Sequence, residues 1–197
     1  MKTHKPSVLR GIATGVVAGV AATIMMDQFL KLSSLSQKAL EKRHKLAEGE
    51  SPWEIAHEQA LQEAQAAQQE DSTEIVARKL SEAVGKPLPG HDKKAAGQAV
   101  HFTFGTLMGI VYGVTSEILP EATAGGGTAF GTLLFLGADE VAVPALRLAP
   151  PPTETAPFDH LQHWAAHVVY GGTLELVRSL VSRLLRPRRF ARLPWVR

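Results

Sequence analysis

Asp139 and Glu140 stand side by side in a run, Ala122 to Leu146, that holds no other charge. Neighbouring acids in an apolar segment are costly to bury, and at membrane depth such residues mark function by default. Histidines accompany them. His160-x-x-His163-x-x-x-His167 places three imidazoles within one face of a helix, with Tyr170 continuing the stripe, and His101 and Asp27 occupy other apolar segments. Carboxylate and imidazole together make a proton relay or a metal site; the donor set suits Zn, Fe or Mn, and histidines from two helices also hold haem. The expectation is a cluster of Asp27, His101, Asp139, Glu140, His163 and His167 that handles protons or small cations or responds to pH, with no cofactor and with Zn, Fe or haem at the histidines as the alternative. Tyr112, Tyr170, Glu117 and Glu175 form a secondary polar set. Against both stands a plainer reading, in which acids and histidines only satisfy one another. Zero cysteines exclude disulfides, thiolate metal sites and cysteine nucleophiles. No nucleophile motif, phosphate loop or dinucleotide fingerprint is present, so an enzyme is disfavoured.

The elements that position these residues follow from where the charges are absent. Mean hydropathy is near zero and 20% of the residues are charged, which describes an ordinary soluble domain. The average hides segregation. Gly11–Leu30, Gln98–Leu119, Ala122–Leu146 and His163–Leu185 are apolar or small-residue runs, and about 20 such residues span roughly 30 Å of hydrocarbon. Four spans are predicted, in an all-α bundle. The opening, with Lys2, Lys5 and Arg10 before an apolar run, resembles a secretory signal peptide. The run flows through Met25-Met26-Asp27-Gln28 without a small-residue cleavage site, so an uncleaved span is expected. The predicted organisation is 1–32 for the N-terminus and first span, 33–96 for a polar insertion, 97–185 for spans two to four, and 186–197 for a basic tail.

The polar stretch Ser33–Lys94 is rich in good helix formers. Ser51-Pro52-Trp53-Glu54 has the form of a capping box and predicts a helix to about Glu70; a second is expected from Ser72 or Thr73 to Gly85. Trp53, Ile55, Ala56, Leu61, Ile75, Val76, Leu80 and Val84 offer one side of a small helical hairpin, but charges that read as solvated faces favour a water-exposed, extramembrane helical insertion. After Glu175 come Arg178, Arg183, Arg186, Arg188, Arg189, Arg192 and Arg197 and no acid. The positive-inside rule puts this tail, and by four crossings the N-terminus, in the cytoplasm. Lys31, Lys38, Lys42 and Arg43 oppose that orientation, but long loops translocate largely regardless of charge. Arginines beside a bilayer, with Phe190 and Trp195 among them, predict contact with anionic lipid rather than nucleic acid.

Two phrases recur. Val111-Tyr112-Gly113-Val114-Thr115-Ser116-Glu117 echoes Val169-Tyr170-Gly171-Gly172-Thr173-Leu174-Glu175, and Gly15-x-x-x-Gly19 leading to Asp27 echoes Gly127-x-x-x-Gly131 leading to Asp139. Their common order predicts a duplicated two-helix hairpin with the copies parallel, Ser33–Lys94 being inserted in the first. The glycines at four-residue spacing predict close helix contact, within the bundle or between copies in a homo-oligomer. In alternating spans, the acids and histidines share one end of the bundle, while Glu117 and Glu175 collect near Arg178 at the other.

From the second span onward the chain resembles the YagU-like family of small bacterial inner-membrane proteins. His101, the run Tyr112 to Pro120, Val143-Pro144-Ala145-Leu146, Leu148-Ala149-Pro150-Pro151, His167-Val168-Val169 and Glu175 carry the likeness. The resemblance implies a multi-pass inner-membrane location and an unassigned biochemical role. The insertion departs from the family pattern, and Asp139-Glu140 stands where that pattern has other polar residues. The function expected is proton or cation handling, or a response to pH; the alternative is a non-catalytic structural or partner-binding membrane subunit.

Overall fold

A computed structural model describes residues 6–185. The tail from Arg186 onward, with Phe190 and Trp195, and the amino-terminal Lys2 and Lys5 lie outside the described residues, so their predicted lipid contacts are not addressed by it. Among the described residues every regular element is helical. Three helical stretches, Val8–Ala47, Gly90–Ile118 and Pro120–Ala145, are long and apolar enough to cross a membrane, and they point to a membrane protein.

Helix α1 runs unbroken over Val8–Ala47, 40 residues, or about 60 Å, twice the hydrocarbon thickness. Ser7 caps its start by accepting from the Arg10 N–H at 3.3 Å, and Gly49, at φ +94°, lies just past its end. Nothing in between breaks a helix, so α1 passes through the expected boundary at residue 33 and carries Lys38 and Lys45 beyond the apolar part. There they pair with Glu63 and Glu58 of α2, Pro52–Ala66. The Ser51–Glu54 capping box forms, with reciprocal bonds of 3.2 and 3.0 Å. Helix α3, Ser72–Ala83, starts at Asp71, whose carboxylate accepts from the N–H groups of Thr73 and Glu74.

The alternative to a water-exposed insertion, a hairpin core between α2 and α3, does not form. Of its residues Ile55 is buried, but Trp53, Leu61, Leu80 and Val84 are exposed. The reason is competition. The basic extension of α1 holds α2, and Gly97, near the start of α4 (Lys93–Ile118), leaves room for the backbone and Glu74 side chain of α3.

Helices α1 and α4 cross at backbone contact. A Cβ built on Gly15 would lie 2.5 Å from the Gly109 carbonyl oxygen, one on Gly19 2.9 Å from Thr106 Cα, and one on Gly11 2.8 Å from Val114 Cα. Glycine stripes create this approach. A second such crossing joins α5, Thr128–Leu134, to α7, Pro157–Leu185, where Gly127 and Gly131 stand against the backbone of Gly171 and His167. Ala18 and Ala22 of α1, Tyr112 of α4, and Tyr170 and Leu174 of α7 make the buried centre, with Phe130 and Leu134 packed against it. Outward-facing apolar residues such as Leu107, Val111, Leu133 and Val141 remain exposed, as on a surface that lipid covers.

The third apolar run does not begin as a helix at Ala122. Gly125, Gly126 and Gly127 all take positive φ, between 64° and 87°, so 3₁₀ turns and a bend occupy Pro120–Gly127 and α5 starts at Thr128. Beyond α5, Phe135–Ala142 is wound as π-helix, with the Val143 N–H bonded to the Ala138 carbonyl five residues back, before the short α6, Val143–Ala145. Pro144 has no N–H to give. In an ordinary α-helix this would free the Glu140 carbonyl; here the segment before it takes the wider winding, a feature that often marks functional segments.

Candidate functional site

The polar residues separate into two ends, joined by the glycine crossings. At the first end, Asp27 of α1 meets α4: its Oδ1 lies 3.0 Å from His101 Nε2, and its Oδ2 accepts from Gln98 Nε2 at 3.0 Å. An ionised carboxylate makes Nε2–H the donor in the first contact. Gln98 was not anticipated. Its place three residues before His101, one turn along the same face, was the available signal.

The π-helical segment presents its two acids to α7. Glu140 Oε1 is 2.6 Å from His160 Nδ1, while Asp139 Oδ2 stands 3.6 Å from His163 Nδ1 and 3.7 Å from His167 Nδ1. On an α-helix Glu140 would lie about 100° around from Asp139 and could not face the same neighbour. The winding changes this. More residues per turn reduce the angle between neighbours, and both acids reach α7. His160 thereby enters the site in place of a bystander. His167 is buried, packs its ring near Phe135, and donates from Nδ1 to the His163 carbonyl at 3.0 Å. A neutral His167 therefore carries its unprotonated nitrogen at Nε2.

His160 also fixes a proton. Its Nε2 is 2.9 Å from the Pro152 carbonyl, which only accepts, so Nε2 donates there. Nδ1 then faces an acid, and the imidazolium satisfies both acceptors. The Glu140 contact first, and the carbonyl second, raise the pKa of His160 above its ordinary value. The raised value sets the sign. The stabilisation is complete below about 6.5, the ordinary histidine pKa, and is lost as pH rises through the higher folded value. A histidine NMR titration should show His160 titrating above an unstructured histidine, and Glu140→Gln should return it toward that value. An unchanged midpoint in this variant would contradict the pairing.

At the opposite end, Arg10 of α1 binds Glu117 of α4 through Nε at 2.9 Å and through a second guanidinium contact. On α7, Arg178 grips Glu175 with bonds of 2.8 and 2.7 Å, and Tyr112 of α4 donates to the same carboxylate at 2.8 Å. Tyr112 and Glu175 thus share a bond, while Glu117 pairs with Arg10. Tyr170 does not join them: its hydroxyl donates to the Gly105 carbonyl at 2.5 Å inside the core. Arg10 joins this end although its place before an apolar run points only to the start of a span.

A cavity of about 420 Å³ opens beside the first end, between α1, α3, α4, the π-helical segment and α7, with His101, Asp139, His163 and His167 on its polar wall. A smaller one, of about 160 Å³, lies against Glu140 and His160. Among the described residues no three His, Asp or Glu side chains are grouped so that they could hold a metal ion.

Residues 83–176 match the model of a family described as a protein of unknown function (DUF1440). The matched region contains His101, Asp139, Glu140, His160, His163, His167 and Glu175, while Asp27 and Arg10 precede it. No curated protein and no solved structure matches the chain.

Proposed function

We propose that this chain is a four-span inner-membrane protein whose acid–histidine pairs, at one end of the bundle, take up and release protons. One observation carries the reading: the pairs recur at the same place relative to the two glycine crossings. Gly15 and Gly19 oppose Gly109 and Gly105; Gly127 and Gly131 oppose Gly171 and His167. Aligned on these contacts, Asp27 and Asp139 each fall eight residues beyond the second glycine, and His101 corresponds to His163. That register supports a duplicated hairpin with an acid–imidazole pair in each copy. The recurring Val-Tyr-Gly phrase does not share it. Gly113 opposes Gly11, whereas Gly171 opposes Gly127, so the phrase sits one turn out of step.

Several features support the rest. Helix α7 has 29 residues, about 44 Å at 1.5 Å per residue, enough for a fourth crossing. The residues that carry the YagU-like resemblance, His101 to Glu175, fall inside the matched family region. Histidine titrates near neutrality, and a neighbouring carboxylate tunes it across physiological pH. Asp139 is faced by His163 and His167 from α7; Asp27 is faced by His101 and Gln98 from α4. An arginine tail on anionic lipid and association of copies through glycine faces belong to the same proposal.

A second reading has its own observation. Asp27, Glu117, Glu140 and Glu175 all have partners, as in a purely structural membrane subunit. Reconstituted vesicles carrying a pH dye separate the two. Wild-type protein should relax an imposed pH difference faster than Asp139→Asn or His167→Ala, by about a hundredfold, the low end for a lost proton-transfer group. Identical traces from all three would favour the structural subunit.

A further inference from the structure

We infer that the larger cavity is a binding site for a lipophilic organic cation, such as a protonated hydrophobic amine or a quaternary ammonium, with Asp139 as its counter-ion. Its volume, about 420 Å³, falls within the roughly 300–1,000 Å³ of small-molecule sites. Leu30, Val76, Phe104, Leu134 and Leu146 make its walls apolar. The polar groups lie where Asp139 meets α4 and α7, and among the described residues no lysine or arginine lines the cavity.

Asp139 differs from the other acids of this end. Asp27 and Glu140 each accept a hydrogen bond, but the nearest imidazole nitrogens to Asp139 stand at 3.6 and 3.7 Å, beyond hydrogen-bonding distance. Its carboxylate is within ion-pair range of two imidazoles but bonded closely by neither, so a ligand cation can take their place. His167 has committed Nδ1–H to a carbonyl, so its neutral ring adds an acceptor at Nε2 rather than a donor. A carboxylate with no lysine or arginine beside it, on one wall of an apolar chamber, selects a positive charge on a greasy body. An anionic or neutral amphiphile would find no donor of comparable strength. The site also gives α3 a role. Thr73 and Val76 line one side of the cavity.

This inference goes beyond proton handling and does not depend on it. Equilibrium dialysis of detergent-purified full chain against tetraphenylphosphonium, at mildly alkaline pH and without a gradient, tests it. Saturable binding is expected in wild type, with affinity at least about tenfold lower in Asp139→Asn, since a near charge is removed. Val76→Trp, which fills the chamber without touching an acid, should weaken binding as well, and Glu63→Gln on α2 should not. A fatty-acid anion should not compete. Absence of saturable binding by wild type with an intact unfolding transition, or equal binding by Asp139→Asn and Val76→Trp, would overturn the assignment. A protein that moves protons in vesicles but does not bind the probe overturns the cavity assignment alone; one that binds but moves none leaves it standing.

Discussion

Leucine in place of Gly15 is expected to abolish the folded bundle. Even the first carbon of that side chain would sit 2.5 Å from the Gly109 carbonyl oxygen and 2.7 Å from Ile110 Cα. Both obstacles are backbone, and neither can rotate aside. Separating α1 from α4 would then open the whole crossing from Gly11 to Gly19 and uncover the alanine layer at Ala18 and Ala22, each fully buried. Overpacking in a yielding core costs about 1–3 kcal/mol; a rigid backbone contact should exceed about 3 kcal/mol on the same grounds. Gly172→Ala, where nothing lies within 4 Å of the added carbon, should be neutral or gain up to about 1 kcal/mol from helix propensity. Unfolding in a denaturing detergent measures both. A Gly15→Leu protein as stable as wild type would contradict the crossing.

Removing the Glu175 carboxylate is the second large effect. Arg178 holds it through two bonds and Tyr112 through a third, and the Arg178 and Glu175 side chains are only 12% and 19% exposed. Glu175→Ala leaves a largely covered guanidinium without its main counter-ion and a buried phenol without an acceptor. A loss of about 3 kcal/mol is expected, the low end for breaking a buried pair, because some solvent reaches it. Replacing both members, Glu175→Leu with Arg178→Leu, should recover most of that loss, since no charge is then stranded. If the single and double variants were equally unstable, packing rather than charge would be what this contact supplies.

Much of this was legible in the residues. The glycine spacings announced close helix contact, Ser51 and Glu54 announced a helix start, and the segregated charges separated apolar helices from a polar insertion. Other features were not. Gly127 has the spacing of a helix-packing residue with Gly131, whereas the positive φ values of Gly125, Gly126 and Gly127 delay the helix to Thr128. Residue pattern carries no signal for π winding, so Glu140 was turned away from α7 and His160 was passed over. The insertion misled for another reason. Amphipathic α2 and α3 suggested each other as partners, but α1 and α4 offered an ion-pairing extension and a gap at Gly97, and propensity cannot rank such competitors. The duplicated phrases were visible, but their relative register was set by backbone contacts that only the three-dimensional arrangement contains.

The proposed function requires equivalent acid–histidine pairs at Asp27–His101 and Asp139–His163. Proton flux through reconstituted vesicles under an imposed pH difference tests that requirement most directly. Slower flux than wild type is predicted in Asp27→Asn and in Asp139→Asn alike, with the doubly substituted protein no faster than either. Flux at the wild-type rate in either single variant would contradict it.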